Sequence, residues 1–209
     1  NRTIHYPVYW SELAAGEWLQ QQLQLRLDTW CPQLFGYHFI KLGALSAQLK
    51  TNTCTIRHQV NVTSGQGITG LIAKNHALPL QESSIDVCLL AHGINFSHDP
   101  HQLLREVERV LTADGFLLLS GFNPISWHGL SQYVPFARHH LTLNSRMFTP
   151  ARIKDWLHLL GFEVLVDERF GFGFSLARGH SMDWYENVGQ KCFPLLCDNY
   201  FMVAKKCTR

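Results

Sequence analysis

Residues 78–120 read LPLQESSIDVCLLAHGINFSHDPHQLLREVERVLTADGFLLLS, and the order of patterns inside this stretch decides the fold class. Ile85 to Ala91 (IDVCLLA) is a nearly continuous apolar run, as expected of a parallel strand covered on both faces. Asp99 and Pro100 then open a helix. The Asp side chain offers an acceptor to free backbone N–H groups and Pro tolerates the first helical position. Leu103, Leu104, Val107, Val110 and Leu111 give that helix one apolar face. Asp114 and Gly115 turn the chain into a second apolar strand, Phe116 to Ser120. A strand–helix–strand succession with a buried crossover implies parallel pairing with a right-handed connection.

Downstream, Gly121 to Phe148 is long, irregular and rich in aromatics and histidines, including Trp127, His139 and His140. Loops of this length in α/β proteins are usually lids or binding loops, so a lid over residues 121–148 is expected. Thr149 and Pro150 open another helix with Ile153, Trp156, Leu157 and Leu160 inward, closed by Gly161. Phe162 to Val166 and Tyr200 to Ala204 read as two final strands, with a short helix between them near Met182 to Gly189.

Upstream, Ser11 can cap a helix over residues 11–30 whose apolar stripe includes Leu19, Leu23 and Leu27. Pro32 ends it, so residues 1–36 form an N-terminal helical segment. Tyr37 to Leu42 (YHFIKL) is a strand that stops at Gly43, and Ala44 to Leu49 continues as a helix or a turn. Ile56 to Val62 alternates as a short strand, and Ile68 to Ala73 is a third. With no internal repeat or linker, residues 1–209 are expected to form one α/β domain.

Composition is consistent with that. Apolar residues make up 46% of 209 residues, enough for one sizeable core. A net charge of +2 without clustered Lys or Arg gives no signal for nucleic acid or an anionic membrane. No apolar run reaches the roughly 18 residues that span a bilayer, and no signal-peptide segment is seen, so a cytoplasmic location is expected. The six cysteines include no Cys-x-x-Cys pair and are expected to be reduced and structural. His98 and His101 flank the helix start without a third convergent ligand, so no metal site is expected.

The quoted stretch closely resembles the central region of type-11 class I S-adenosylmethionine-dependent methyltransferases. The resemblance rests on Leu78-Pro79-Leu80, Ser84-Ile85-Asp86, Asp99, Leu104 with Glu106, Arg109-Val110-Leu111 and Asp114-Gly115. Arg146 to Thr149 and Leu160 to Glu163 are similar to that superfamily's last helix and its approach. Phe35-Gly36-Tyr37-His38 and Gly121-Phe122-Asn123-Pro124 look like a bacterial branch of methyltransferase-like proteins, so the likeness covers nearly the whole chain. It implies a doubly wound, mostly parallel seven-stranded Rossmann-like sheet with one antiparallel strand near the edge. It also implies S-adenosylmethionine across the carboxyl ends of the first strands, where loops converge at the topological switch point.

Carried onto this chain, the cofactor site comprises Gly43, Ala44, Ser46, Asn61, Lys74, Asn75, His76, Ala91 and His92. The departures are as specific as the matches. The first loop, normally glycine-rich, keeps only Gly43 of that freedom. The carboxylate that normally binds the ribose hydroxyls is replaced, with Asn61 or Thr63 nearest, and Lys74-Asn75 stands where an acid usually meets the adenine amino group. Between Asp28 and Glu82 there is no Asp or Glu. An ammonium and an amino group are both donors, so Lys74 must point outward if Asn75 or a backbone carbonyl is to serve adenine.

Methyl transfer from a sulfonium depends mainly on positioning, so no acid–base motif is required. His92 is the candidate catalytic base, its other reading being a hydrogen-bonded histidine at a strand end. Two functions follow: a methyltransferase acting on an unknown small-molecule or macromolecular acceptor, or a non-catalytic binding module on the same fold with a degenerate cofactor site. A nucleotide oxidoreductase is disfavoured because Gly-x-Gly-x-x-Gly after a strand is absent.

Overall fold

The structure, a computed structural model, describes residues 6–13, 15–65, 67, 70–125, 145–171 and 197–207. Seven strands form one sheet in the order β3-β2-β1-β4-β5-β7-β6. They are β1 (His38–Leu42), β2 (His58–Thr63), β3 (Leu71–Ile72), β4 (Ile85–Ala91), β5 (Leu111–Phe122), β6 (Phe162–Phe170) and β7 (Asn199–Lys206). Every pairing from β3 to β5 is parallel, whereas β7 runs antiparallel between β5 and β6. The expected doubly wound sheet with one antiparallel strand near its edge is present.

Among the described residues four α-helices flank it: α1 (Gly16–Trp30), α2 (Ala44–Ala47), α3 (Pro100–Val110) and α4 (Pro150–Leu159). Alternate residues of the strands feed two cores. Ile40, Cys88, Leu117 and Met202 pack under α3 and α4 through Leu104, Val107, Ile153 and Leu157. Phe39, Leu89, Leu118 and Phe201 pack under α1 and α2 through Leu19, Leu23, Leu27 and Leu45. Near-continuous apolar strands are what a sheet covered on both faces requires.

The crossover helix forms as its sequence dictates. Asp99 accepts from Gln102 N at 3.0 Å, Pro100 occupies the first turn, and Leu103, Leu104, Val107 and Val110 are buried. Thr149 caps α4 in the same way, accepting from Arg152 N, and Gly161 closes it at φ +84°.

Several expected boundaries shift. The helix expected over residues 11–30 begins at Gly16, because Trp10–Glu12 forms a separate 3-10 turn. Glu12 Oε1 accepts from Val8 N and Tyr9 N, so the acceptor that closes this turn is Glu12 and not Ser11. Ala15 in the left-handed region then breaks the path, and a Cβ at Gly16 would run into the Trp10 carbonyl. β5 begins at Leu111, since Asp114 at φ +63° is absorbed as an irregularity opposite Ile85–Val87. The last two strands are also longer than their apolar runs, because Asp167, Glu168 and Arg169 pair with Met202, Phe201 and Tyr200, and Lys205 and Lys206 with Glu163 and Phe162. Residues 126–144 of the expected lid and the helix expected near Met182 to Gly189 lie outside the described residues.

Candidate functional site

Gly43 ends β1 at φ +94°, ψ 158°, a conformation that disfavours any residue with a Cβ. Its N–H donates to Val62 O at 2.8 Å, and its carbonyl accepts from Ala47 N as α2 begins. A Cβ placed there would meet nothing within 4 Å. Open space therefore stands before the backbone where β1 ends beside β2 and β4.

The neighbouring residues divide between scaffold and surface. Ser46 is fully buried, donating to Leu42 O at 2.7 Å and accepting from Ala91 N at 2.8 Å. Its hydroxyl is committed to tying α2 to β1 and β4, so Ser46 shapes the loop and does not reach outward. Asn61 is not the residue at the end of β2: it pairs with Lys41 in mid-strand, and Thr63 closes the strand. Thr63 is a neutral hydroxyl, buried, with Gly65 N 3.4 Å from its Oγ1.

In the turn after β3, Lys74 and Ala77 form an antiparallel bridge, with Ala77 N donating to Lys74 O at 3.0 Å. Lys74 and His76 are exposed, whereas Asn75 is half-buried and its Oδ1 is a buried acceptor without a partner. The motif Leu78-Pro79-Leu80 with Glu106 and Arg109 holds this turn. Glu106 Oε1 accepts from Leu78 N at 2.7 Å, and the Arg109 guanidinium donates to Leu78 O and Leu80 O at 3.1–3.2 Å. Arg109 hydrogen bonding first, and His76 charge least, hold the Glu106 carboxyl below its ordinary range.

His92 follows β4 at φ +53°, a strained value for a residue with a Cβ. Its N–H donates to Ser120 O and Oγ at 3.1 and 3.2 Å, and its carbonyl accepts from Asn95 N. The ring is fully buried, tilted against Phe122 at 4.3 Å and edge-on to Trp10 at 5.9 Å. Neither ring nitrogen has a hydrogen-bond partner. Burial pushes its pKa down to about 3, an effect the adjacent Asn95 side chain only partly opposes. So weak a proton acceptor is poorly matched to general-base work near neutrality. His92, the expected base, is thus a buried ring held neutral on a strained backbone.

Two features escaped sequence reasoning. Asn95 is fully buried: its Oδ1 accepts from Phe122 N, its Nδ2 donates to Arg146 O, and its carbonyl accepts from Arg146 N. The far end of the 121–148 segment is thereby anchored on the β4–α3 connection. Asn199, nearly buried at the start of β7, carries another unpartnered acceptor in its Oδ1. Lone asparagines give no local signal; only the strand ends on which they fall reveal them. His98 and His101 serve packing and backbone, with the His101 ring 3.9 Å from Trp156 and the His98 carbonyl accepting from Arg146 Nη1. His139 and His140 lie outside the described residues.

A family model described as a methyltransferase domain matches residues 44–119. The chain is 41% identical over 211 residues to uncharacterized protein YafS of Escherichia coli (strain K12), covering 99% of this chain and 84% of that protein. Among solved structures, a SAM-dependent methyltransferase from Thermotoga maritima superposes with a TM-score of 0.62 at 17% identity, over 90% of this chain and 91% of that one. Another, from Archaeoglobus fulgidus, gives 0.60 at 17% identity, over 90% and 94%. Likeness at these identities is likeness of fold.

Proposed function

We propose, from the premise that the chain belongs to the class I S-adenosylmethionine-dependent methyltransferases, that it binds S-adenosylmethionine and transfers its methyl group to an acceptor molecule. The observation that carries this reading is Gly43, where a positive φ and open space leave backbone exposed to a ligand at the switch point of the sheet. The residues present fit the cofactor. Gly43 and Ala44 would lie against its methionyl part, Thr63 near the ribose, and Asn75 Oδ1 would accept from the adenine amino group. Lys74, directed to solvent, leaves that contact free. When bound, the cofactor supplies an electrophilic methyl on a positively charged sulfur. The protein's own part is to orient the reactants and exclude water.

One observation favours a second reading, a binding module that does not turn over. The strand ends at Gly43, Thr63 and Ala91 present no carboxylate to a cofactor that carries net positive charge. Calorimetric titration with S-adenosylmethionine and its demethylated product decides between them. Methyl-labelled cofactor is then used, with a clarified cell extract added as the source of acceptor. Binding of both ligands with label passed to extract material and release of the demethylated product supports the enzyme. Binding without such transfer supports the module, and no heat from folded protein overturns the enzyme and leaves the module. The free cysteines among the described residues support a reducing, cytoplasmic setting. Among the described residues no helix is long and apolar enough to cross a membrane.

A further inference from the structure

Three strands bring one lateral row of side chains to the same face of the sheet. Asn199 of β7 is the register partner of Phe122 on β5 and of Phe170 on β6. Side chains opposed in this way share a face. The His92 ring extends the row beyond Phe122, and Trp10 closes its end. At the other end Trp18 of α1 stands 6.3 Å from Phe170. Gly171, at φ +76°, makes room there, since a Cβ would press on both Trp18 and Asn199 Nδ2.

This aromatic row contains two orphaned polar groups. Asn199 Oδ1 is buried and unpartnered, as are both ring nitrogens of His92. Leaving such groups unsatisfied costs about 1–3 kcal/mol each, so each calls for a partner, which a bound ligand can supply. The row adjoins the proposed cofactor position because Ala91 immediately precedes His92.

We propose that the row from His92 through Phe122 to Asn199 binds the methyl acceptor, and that this acceptor is a neutral, planar aromatic molecule carrying a hydrogen-bond donor. The inference rests on the transferase reading for the word acceptor; the binding chemistry stands on the row itself. Planarity follows from Phe122, Phe170 and the two tryptophans, whose faces and edges favour flat rings. A donor is required because Asn199 Oδ1 can only accept. A second polar group of either sense is met by His92, whose neutral ring has one N–H and one lone pair. Neutrality follows from charge balance. Among the described residues, the charged side chain in contact with the row's rings is Arg26, with Cζ 3.9 Å from the Phe170 ring, and it is paired with Glu168 at 3.1 Å. Burial of the imidazole also disfavours its charged form, which would otherwise attract an anionic ligand.

The test is calorimetry with three ligands of one shape: 2-naphthol, 2-naphthoate and 2-naphthylmethylammonium. The expected result is saturable 2-naphthol binding, with both charged probes at least tenfold weaker. Asn199→Leu should weaken 2-naphthol by about 5- to 150-fold. Asn199→Asp, nearly isosteric, should shift preference toward the ammonium probe, and thermal melts verify that both variants fold. Equal binding of 2-naphthoate, absence of 2-naphthol binding to folded protein, or unchanged 2-naphthol binding by a folded Asn199→Leu each overturns the proposal. S-adenosylmethionine titrated into the same samples separates the two claims. Its failure to bind withdraws the transferase reading, whereas the naphthol series alone decides the row.

Discussion

Glu106 and Arg109, three residues apart on α3, form a 2.7 Å ion pair whose members both turn away from their helix to grip the segment from Leu78 to Leu80. The pair is half-buried, and its worth lies in the backbone groups it satisfies more than in its charges. Arg109→Met leaves two carbonyls without their donor and should lower stability by about 1–2 kcal/mol. Because the gripped segment follows Asn75, cofactor affinity should fall as well. Arg105→Met, an exposed neighbour on the same helix, should stay within about 0.5 kcal/mol of the parent in urea unfolding. Equal losses in the two variants would refute the clamp.

Gly43 combines a left-handed φ with empty space, so its substitution separates strain from collision. Gly43→Ala meets no atom within 4 Å yet must adopt φ +94° or move the loop. A cost of about 1–3 kcal/mol is expected in thermal or urea unfolding, together with weaker binding of S-adenosylmethionine. Gly43→Val should abolish binding in whatever fraction remains folded. Undiminished binding by folded Gly43→Val would place the cofactor elsewhere.

Asn75 and Lys74 are adjacent, and the proposed cofactor position gives them opposite importance. Asn75→Leu removes the buried unpartnered acceptor and should weaken S-adenosylmethionine by about 5- to 150-fold. Lys74→Ala alters an exposed side chain and should change affinity by less than about threefold. Calorimetry on the two variants checks the order, and a larger effect at Lys74 would reverse the assignment.

His92 links stability to pH. Its pKa falls from 6.5 to about 3 on folding, so below pH 6.5 the unfolded chain binds a proton that the folded chain refuses. Stability contributed by the neutral ring is therefore complete above pH 6.5 and declines as pH falls toward 3. Between pH 7 and pH 5 the parent should lose up to about 2 kcal/mol that His92→Gln does not lose, measured by urea unfolding at each pH. Parallel losses in both proteins would mean that His92 accepts its proton when folded.

The central strand–helix–strand unit was legible because each signal there is local and strong: a continuous apolar strand, Asp99 before Pro100, and an apolar helical face. The start of the N-terminal helix is not legible in sequence because Ser11 has the chemistry of a helix cap, while Glu12 and the left-handed Ala15 close a separate turn. Asn61 and Thr63 could not be ranked without the strand register that puts Thr63 last. Ser46 resembled a ligand contact in sequence, yet its hydroxyl is consumed by backbone 45 residues away. Asn199 and Asn95 were invisible because their meaning comes only from the strands that surround them.

The place of β7 has a consequence for how the chain reaches its native state. β7 is made after β6 yet inserts between β6 and β5, so β6 has no strand to join until the later segment has arrived. The β3-to-β5 half closes through pairings completed by residue 122, whereas the other half depends on contacts spanning some 80 residues, such as Phe122 with Asn199. Loop closure of that length is slow and leaves open edges on both β5 and β6 in the interval. Assembly should thus proceed in two stages, with the β3-to-β5 half as a scaffold and the last strand as a wedge. The row that includes Asn199 comes into being only at the second stage.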